Sequence, residues 1–382
     1  MRVFVTGGTG FVGKAVIELL KARGDQITAL VRDPERARSL LGSEVNLLAG
    51  DLTGPPPAPE ALAGHEVLLH AACARKSTFA SGSDSAAAFN AVNTEGTRNL
   101  ARAWRQAGSG LFVHLSSTAA MGAPQRLPVT ESDPCHPRTP YGRSKYEAEH
   151  ALQELAQEGL AVVILRPCLI VGEGKEGGEV TNMLRLIDRG RFPLIIGKEL
   201  VRKPLVHVSD VAQAILLAAR QGEPEGLPGS PHSNMPPVLP AEPGRRPGEP
   251  EGLPGSPHSN MPPVLPAEPG RRPGKPGSTY LITSGVEYRL QDVVTTAAGL
   301  LGRSGGYISL PELPVAFAAA VLGQINRWTG VPVPLTSERL ELFLADRTYS
   351  IDRAKTDLGY APRVTDLTAM LEGSVKAYRA TR

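Results

Sequence analysis

One stretch near the start of the chain constrains the fold more than any other. Arg2-Val3-Phe4-Val5-Thr6 runs directly into Gly7-Gly8-Thr9-Gly10-Phe11-Val12-Gly13. The apolar, β-branched run predicts a buried strand. The spacing of Val16, Ile17, Leu19 and Leu20 predicts a helix over 13–23, ended by Gly24. The glycines at 7, 10 and 13 therefore fall between a strand and a helix, the context in which such a pattern carries meaning. Gly7 permits a tight turn, Gly10 lets the backbone approach a pyrophosphate, and Gly13 allows the helix to pack closely on the strand. The N–H groups at the helix start then face phosphate oxygens. The spacing is G-x-x-G-x-x-G rather than G-x-G-x-x-G, which selects one branch of dinucleotide folds.

Further apolar runs at 26–31, 45–49, 66–71, 111–116 and 161–166 alternate with helical stretches. Alternation of this kind predicts an α/β protein: a Rossmann-type doubly wound parallel sheet, covered on both faces, with ligands at the carboxyl ends of its strands. The remaining pieces predict a smaller, discontinuous α/β substrate lobe. The dinucleotide domain is expected over 1–171 with 203–222 and a short strand at 279–284, and the lobe over 172–202 with 285–382. Between them, residues 223–248 are repeated without change as 249–274, a Pro/Gly-rich sequence with no periodic apolar face. Such a segment cannot bury enough surface to offset the entropy of ordering it, so 223–278 is expected to be a disordered insertion.

Composition excludes several classes. Among 382 residues a formal charge of +3 gives no footprint for nucleic acid or an anionic membrane surface. Cys73, Cys135 and Cys168 form neither a metal-ligand pattern nor a disulfide framework, which suits a reducing cytoplasm, and no bound metal is expected. Glycine at residue 7 interrupts any secretory apolar core, and no window approaches a membrane-spanning length.

The end of the second strand bears on which dinucleotide is held. An acidic residue there would grip a ribose 2′-hydroxyl, and an arginine would accommodate a 2′-phosphate. Arg32 holds that place, with Arg36 a turn further on, favouring NADP; Asp33 keeps NAD in play. Asp51, in Gly50-Asp51-Leu52, is placed either at an adenine edge or in a turn. Further on, Thr139 is a predicted N-cap and Pro140 a first helical residue, so Tyr141 and Lys145 share one helix face.

Taken in order, TGGTGFVG (6–13), GDL (50–52), HAA (70–72), NTEGTRN (93–99), LSSTAAMG (115–122), YGRSK (141–145), RPCLIVGEG (166–174), HVSDVA (207–212) and IDRAKTDLGYAPR (351–363) resemble the extended short-chain dehydrogenase/reductases of the NAD-dependent epimerase/dehydratase superfamily. The likeness is greatest to the 3β-hydroxysteroid dehydrogenase and dihydroflavonol reductase-like branch and covers nearly all of the chain outside the insertion. The resemblance implies that Tyr141 is the acid–base group and that Lys145 tunes it and holds the ribose. A tyrosine pKa near 10 must fall by roughly three units to serve near neutrality, about 4 kcal/mol of differential stabilisation. A nearby ammonium in a partly dry site supplies much of that. The third partner is implied after the family's fourth parallel strand. Counting back from Gly122 selects Ser117 to fix the substrate oxygen, leaving Ser116 to support the backbone. Asn93 matches the family's site-organising asparagine, and a helix cap is its alternative role. His70 and His207 are read as structural. Cofactor contacts are implied at Thr6, Gly7, Gly10, Phe11, Val12, Gly13, Arg32, Asp51, Leu52, Ala71, Ala72, Tyr141, Lys145 and Pro167.

The family includes nucleotide-sugar epimerases and dehydratases as well as reductases of hydrophobic alcohols and ketones. The former read R-Y/F-F-N where this chain has Arg166-Pro167-Cys168-Leu169, and leucine donates nothing to a diphosphate. With the mostly apolar segment 311–328, read first as helix packing and otherwise as peripheral membrane contact, this favours hydroxyl–ketone exchange on a sterol-, flavonoid- or lipid-like molecule. Alternatives are a nucleotide-sugar epimerase/dehydratase and a non-catalytic NADP-binding sensor or assembly factor; the presence of both Tyr141 and Lys145 counts against the last. Family likeness also implies a homodimer formed partly through the Tyr141 helix.

Overall fold

The computed structural model describes residues 1–74, 83–108, 110–174, 179–195, 201–222, 277–304, 307–329 and 345–381. Seven parallel strands form the main sheet: β1 (Arg2–Thr6), β2 (Gln26–Val31), β3 (Asn46–Ala49), β4 (Val67–His70), β5 (Leu111–Leu115), β6 (Val162–Pro167) and, far along the chain, β10 (Ser278–Ile282). Their order is β10-β6-β5-β4-β1-β2-β3. The order reverses between β1 and β4, and a doubly wound sheet opens its ligand crevice at that switch point. β4, β5 and β6 are buried at every position, as expected of parallel strands covered on both sides.

Alternate residues of these strands supply two cores. On one face Val5, Leu69, Val113 and Leu165 meet Val16, Ile17 and Leu20 of the Phe11–Ala22 helix and Val211 and Ile215 of the Val208–Ala219 helix. On the other, Phe4, Leu68, Phe112 and Ile164 meet Leu100 and Trp104 of the Gly96–Gln106 helix and Leu152 and Leu155 of the Pro140–Gln157 helix.

The second lobe has its own sheets and core. β7 (Leu169–Val171), β9 (Arg202–His207) and β11 (Glu287–Arg289) form a three-stranded sheet, and β8 (Phe192–Ile195) pairs with β12 (Tyr307–Leu310). Val171, Leu184, Phe192, Leu205, Val294 and Leu371 pack between these strands and the Glu179–Asp188, Leu290–Leu300 and Leu367–Ala380 helices. Asp210 joins the halves: its buried carboxylate accepts from the backbone N–H groups of Arg363 (3.0 Å) and Val364 (3.1 Å).

Several sequence expectations shift. The first helix begins at Phe11, two residues ahead of the expected start, and its first turn already packs into the core through Val12 and Phe11. β9 pairs with β7 and β11 in the small sheet, which already starts at Leu169, while Val206 of β9 still packs into the core of the dinucleotide domain. The last strand covers Ser278–Ile282, so the insertion expected over 223–278 overruns it: Ser278 is buried in β10. The remainder of that insertion, 223–276, lies outside the described residues. In the apolar Glu312–Thr329 helix, the Phe317 side chain is 72% exposed, so that residue is not packed against the described residues. No helix among the described residues is long and apolar enough to cross a membrane.

Candidate active site

The glycine turn is built by backbone pressed on backbone. Gly7 has φ +73°, and a Cβ on it would fall 2.5 Å from the Ala72 nitrogen. A Cβ on Gly13 would fall 2.1 Å from the Gly7 carbonyl oxygen, so this glycine fits the helix to the turn rather than to the strand. Gly10 is the N-cap and has no side chain to cap the helix, and its own Cβ position is crowded only by the Gly7 oxygen at 3.0 Å. A helix start without a side-chain cap, at the switch point, is a place for an anion. Phe11, Ala71 and Ala72 are half-buried beside it, and Val12 is buried.

The Thr6 side chain turns away from the glycine turn to a histidine. It is 1% exposed, and its hydroxyl lies 2.6 Å from His70 Nδ1. Thr97 Oγ1 donates to the Asn93 carbonyl at 2.6 Å and so must accept from His70 Nε2 at 2.8 Å. The imidazole therefore carries its proton on Nε2, and Thr6 donates to Nδ1. Burial and the nearby Lys145 ammonium push the His70 pKa down to about 3, so the ring stays neutral. His114, stacked on it at 5.2 Å, is fully buried and driven down by the same causes. His207 caps the Val208–Ala219 helix through Ser209.

Asn93 is not a helix cap. It sits in wide, π-type turns (Asn90–Glu95) inside a helix that runs on into Gly96–Gln106, at 1% exposure. Its Oδ1 accepts from the Ala74 N–H (2.8 Å) and its Nδ2 donates to Ser144 Oγ (3.0 Å), which donates to the Tyr141 carbonyl (2.8 Å). Asn93 thus ties the loop after β4 to the first turn of the Tyr141 helix.

That helix starts as its sequence predicts. The Thr139 side chain accepts from the Gly142 N–H at 3.0 Å, and Pro140 opens the helix. Gly142, to which the sequence assigned no role, has a structural task. A Cβ there would fall 2.4 Å from the Ala119 carbonyl oxygen, so its absence lets the helix sit against the Thr118–Ala120 turn. Ser117 caps that turn, its Oγ accepting from the Ala119 N–H at 3.1 Å. The Tyr141 ring is half-buried and packs edge-on against Phe89, with ring centroids 5.7 Å apart. Ser117 follows β5, the fifth strand of this chain.

Lys145, one helical turn from Tyr141, is 2% exposed. Its ammonium donates to the Leu115 carbonyl at 2.9 Å, and among the described residues no carboxylate pairs with it. The carboxylate that helical spacing would offer, Glu149, is engaged elsewhere. Arg166 grips it through Nε (3.0 and 3.1 Å) and Nη2 (2.6 Å), and Ser116 donates to it as well. The hydroxyl of Ser116 therefore serves this ion pair rather than the backbone. Neither Glu149 nor Arg166 was singled out as a site residue from the sequence, although Glu149 continues the i, i+4 series of Tyr141 and Lys145. Pro167 is buried, and burial raises the thiol pKa of Cys168 beyond it.

The adenosine end is exposed and local. Arg32 and Arg36 are exposed at the end of β2. The Asp33 carboxylate caps the Pro34–Leu41 helix by accepting from the Arg36 N–H at 3.0 Å. Asp51 accepts from the Thr53 N–H (2.9 Å) and hydroxyl (3.0 Å), bonds that lower its pKa with help from Arg32. Leu52 beside it is half-buried against Gly96. No cluster of metal ligands occurs among the described residues.

Sheet order, glycine turn and uncapped helix define a dinucleotide-binding α/β protein. The chain belongs to the NAD dependent epimerase/dehydratase family, whose sequence profile matches residues 3–229. It is 29% identical over 377 residues to a 4-hydroxy-2-methyl-3-oxo-4-farnesyl-3,4-dihydroquinoline-1-oxide ketoreductase of Stigmatella aurantiaca, covering 96% of this chain and 93% of that one. It is 28% identical over 384 residues to a 3 beta-hydroxysteroid dehydrogenase/Delta 5-->4-isomerase of Mycobacterium tuberculosis, covering 97% and 89%. Its fold matches that of a dTDP-glucose 4,6-dehydratase from Streptomyces venezuelae with a TM-score of 0.67 at 19% identity, covering 99% and 97%. The cradle at Gly7, Gly10 and Gly13 fits the pyrophosphate of the family's NAD.

Proposed function

We propose that the chain is an NAD(P)-dependent oxidoreductase that interconverts a hydroxyl and a ketone on a hydrophobic small molecule. One observation carries this reading: a buried ammonium, Lys145, stands one helical turn from Tyr141 with no carboxylate to neutralise it among the described residues. Positive charge in a partly dry site favours phenolate over phenol. Tyr141 then exchanges a proton with the substrate oxygen at its Oη, and Ser117 donates to that oxygen as charge develops on it. Lys145 orients the ribose, and Asn93 fixes the helix start that carries Tyr141. When bound, the dinucleotide supplies hydride exchange with the carbon that bears this oxygen.

Two features support an apolar substrate. By the family resemblance, Leu169 replaces an asparagine that would donate to a diphosphate. Arg202, in the small sheet, spends its charge on Asp346 (2.6 Å) and Glu287 (2.7 Å). Relatives aligned over nearly the whole chain are named for reactions of an isoprenoid quinoline and of a steroid, which agrees with this choice. Arg32 and Arg36 are exposed past the end of β2 while the Asp33 carboxylate is turned to capping, and this supports NADP. The test is NADPH and NADH oxidation against steroid, flavonoid and long-chain ketones. Net oxidation, faster with NADPH, is expected with at least one. Tightly retained cofactor with no net oxidation, alongside 4-epimerisation of a nucleotide sugar, would contradict the proposal.

A further inference from the structure

Three buried charges lie beneath the site: Lys145, Glu149 and Arg166 at 2%, 1% and 4% exposure. Lys145 and Glu149 are four apart on one helix, the spacing at which opposite charges meet. In a low-dielectric interior that attraction is far stronger than on a surface. Yet Glu149 turns to β6, where Arg166 holds both its oxygens and Ser116 adds a third donor. An arginine suits this task, because its planar fork satisfies two carboxylate oxygens at once.

The other titratable groups facing the cluster, among the described residues, are His70 on β4, His114 on β5 and Cys135 in the chain before the Tyr141 helix. Burial and Lys145 keep both imidazoles neutral. Burial, the dominant influence, together with Glu149 raises the Cys135 pKa despite Arg166, so the thiol stays protonated. The cluster therefore carries two positive charges and one negative, and the negative one is committed to Arg166.

Resting on the reading of Tyr141 and Lys145 as the acid–base pair, we infer that Arg166 is a positioning residue. It withdraws Glu149 from Lys145 and so leaves the whole ammonium charge to act on the Tyr141 phenol. Without Arg166, the Glu149 carboxylate turns along its helix to Lys145, and the phenol loses its support.

The test follows tyrosinate absorbance with pH in dinucleotide-loaded protein, each variant read as the difference from the same protein carrying Tyr141→Phe. Arg166→Met is expected to raise the Tyr141 midpoint by about one pH unit or more, a roughly tenfold loss of phenolate at a fixed pH below it. Arg166→Met with Glu149→Leu removes both charges, a change buried ion pairs often tolerate, and is expected to return the midpoint to its original value. Should Arg166→Met not fold, Arg166→Leu, which likewise removes the charge and every donor to Glu149, carries the same prediction. An unmoved midpoint in the single variant, or a raised one in the double variant, overturns the inference; a purely structural role for Arg166 predicts that double-variant result or no shift. A midpoint that moves and recovers as stated, in a protein whose turnover survives Tyr141→Phe, upholds the charge arrangement and removes the proton-transfer role of Tyr141 instead.

Discussion

The two ends of the crevice are made differently. At the catalytic end buried groups are tied to partners distant in sequence: Thr6 to His70, Asn93 to Ser144, Ser116 and Arg166 to Glu149. These contacts are buried, so their geometry is held by packing and cannot adjust cheaply. At the adenosine end Asp33 bonds three residues away and Asp51 two, and both are exposed. A short exposed turn fixes itself and nothing else. The first end should therefore be intolerant of substitution, and the second should allow cofactor preference to drift.

Gly142→Ala strikes the first end hardest. Its methyl group meets the Ala119 carbonyl, and the Tyr141 helix must move away from the turn that carries Ser117. A displacement of about 1 Å costs on the order of a hundredfold in rate. Steady-state kinetics should show that loss in kcat while dinucleotide affinity, measured separately, changes little. A variant with unaltered kcat would mean that the packing of helix on turn does not set the site. Arg32→Gln addresses the second end and should cost less. It should weaken NADPH binding by about tenfold, the scale of one charge-assisted phosphate contact, and leave NADH binding and protein stability nearly unchanged. Equal losses for both cofactors would break the contrast between the ends.

Legibility in the sequence divides along the same line. The Thr139 cap, the Pro140 start and the shared face of Tyr141 and Lys145 depend on neighbours within one turn, and the structure has them where the spacing places them. β1 and its glycine turn were readable for the same reason. Non-local features were not. Nothing in the run 203–207 says which of two sheets will take it, because an apolar strand suits either. Asn93 resembled a helix cap because the helical turns before it, at 83–89, lack strong apolar spacing. Glu149 and Arg166 are separated by 17 residues and meet only when helix and strand pack. A carboxylate continuing the Tyr–Lys series on a helix face otherwise lined by Ala148, Ala151 and Leu152 was the available signal, since a buried acid requires a cation.

The central claim is that Tyr141, supported by an undivided Lys145 charge, transfers the proton. Its most direct test is kcat/KM of Tyr141→Phe on a verified ketone substrate, in protein shown by fluorescence titration to bind dinucleotide normally. The account predicts a fall of at least about a hundredfold, the usual scale for losing a general acid. Turnover within a few-fold of the unaltered protein would contradict it.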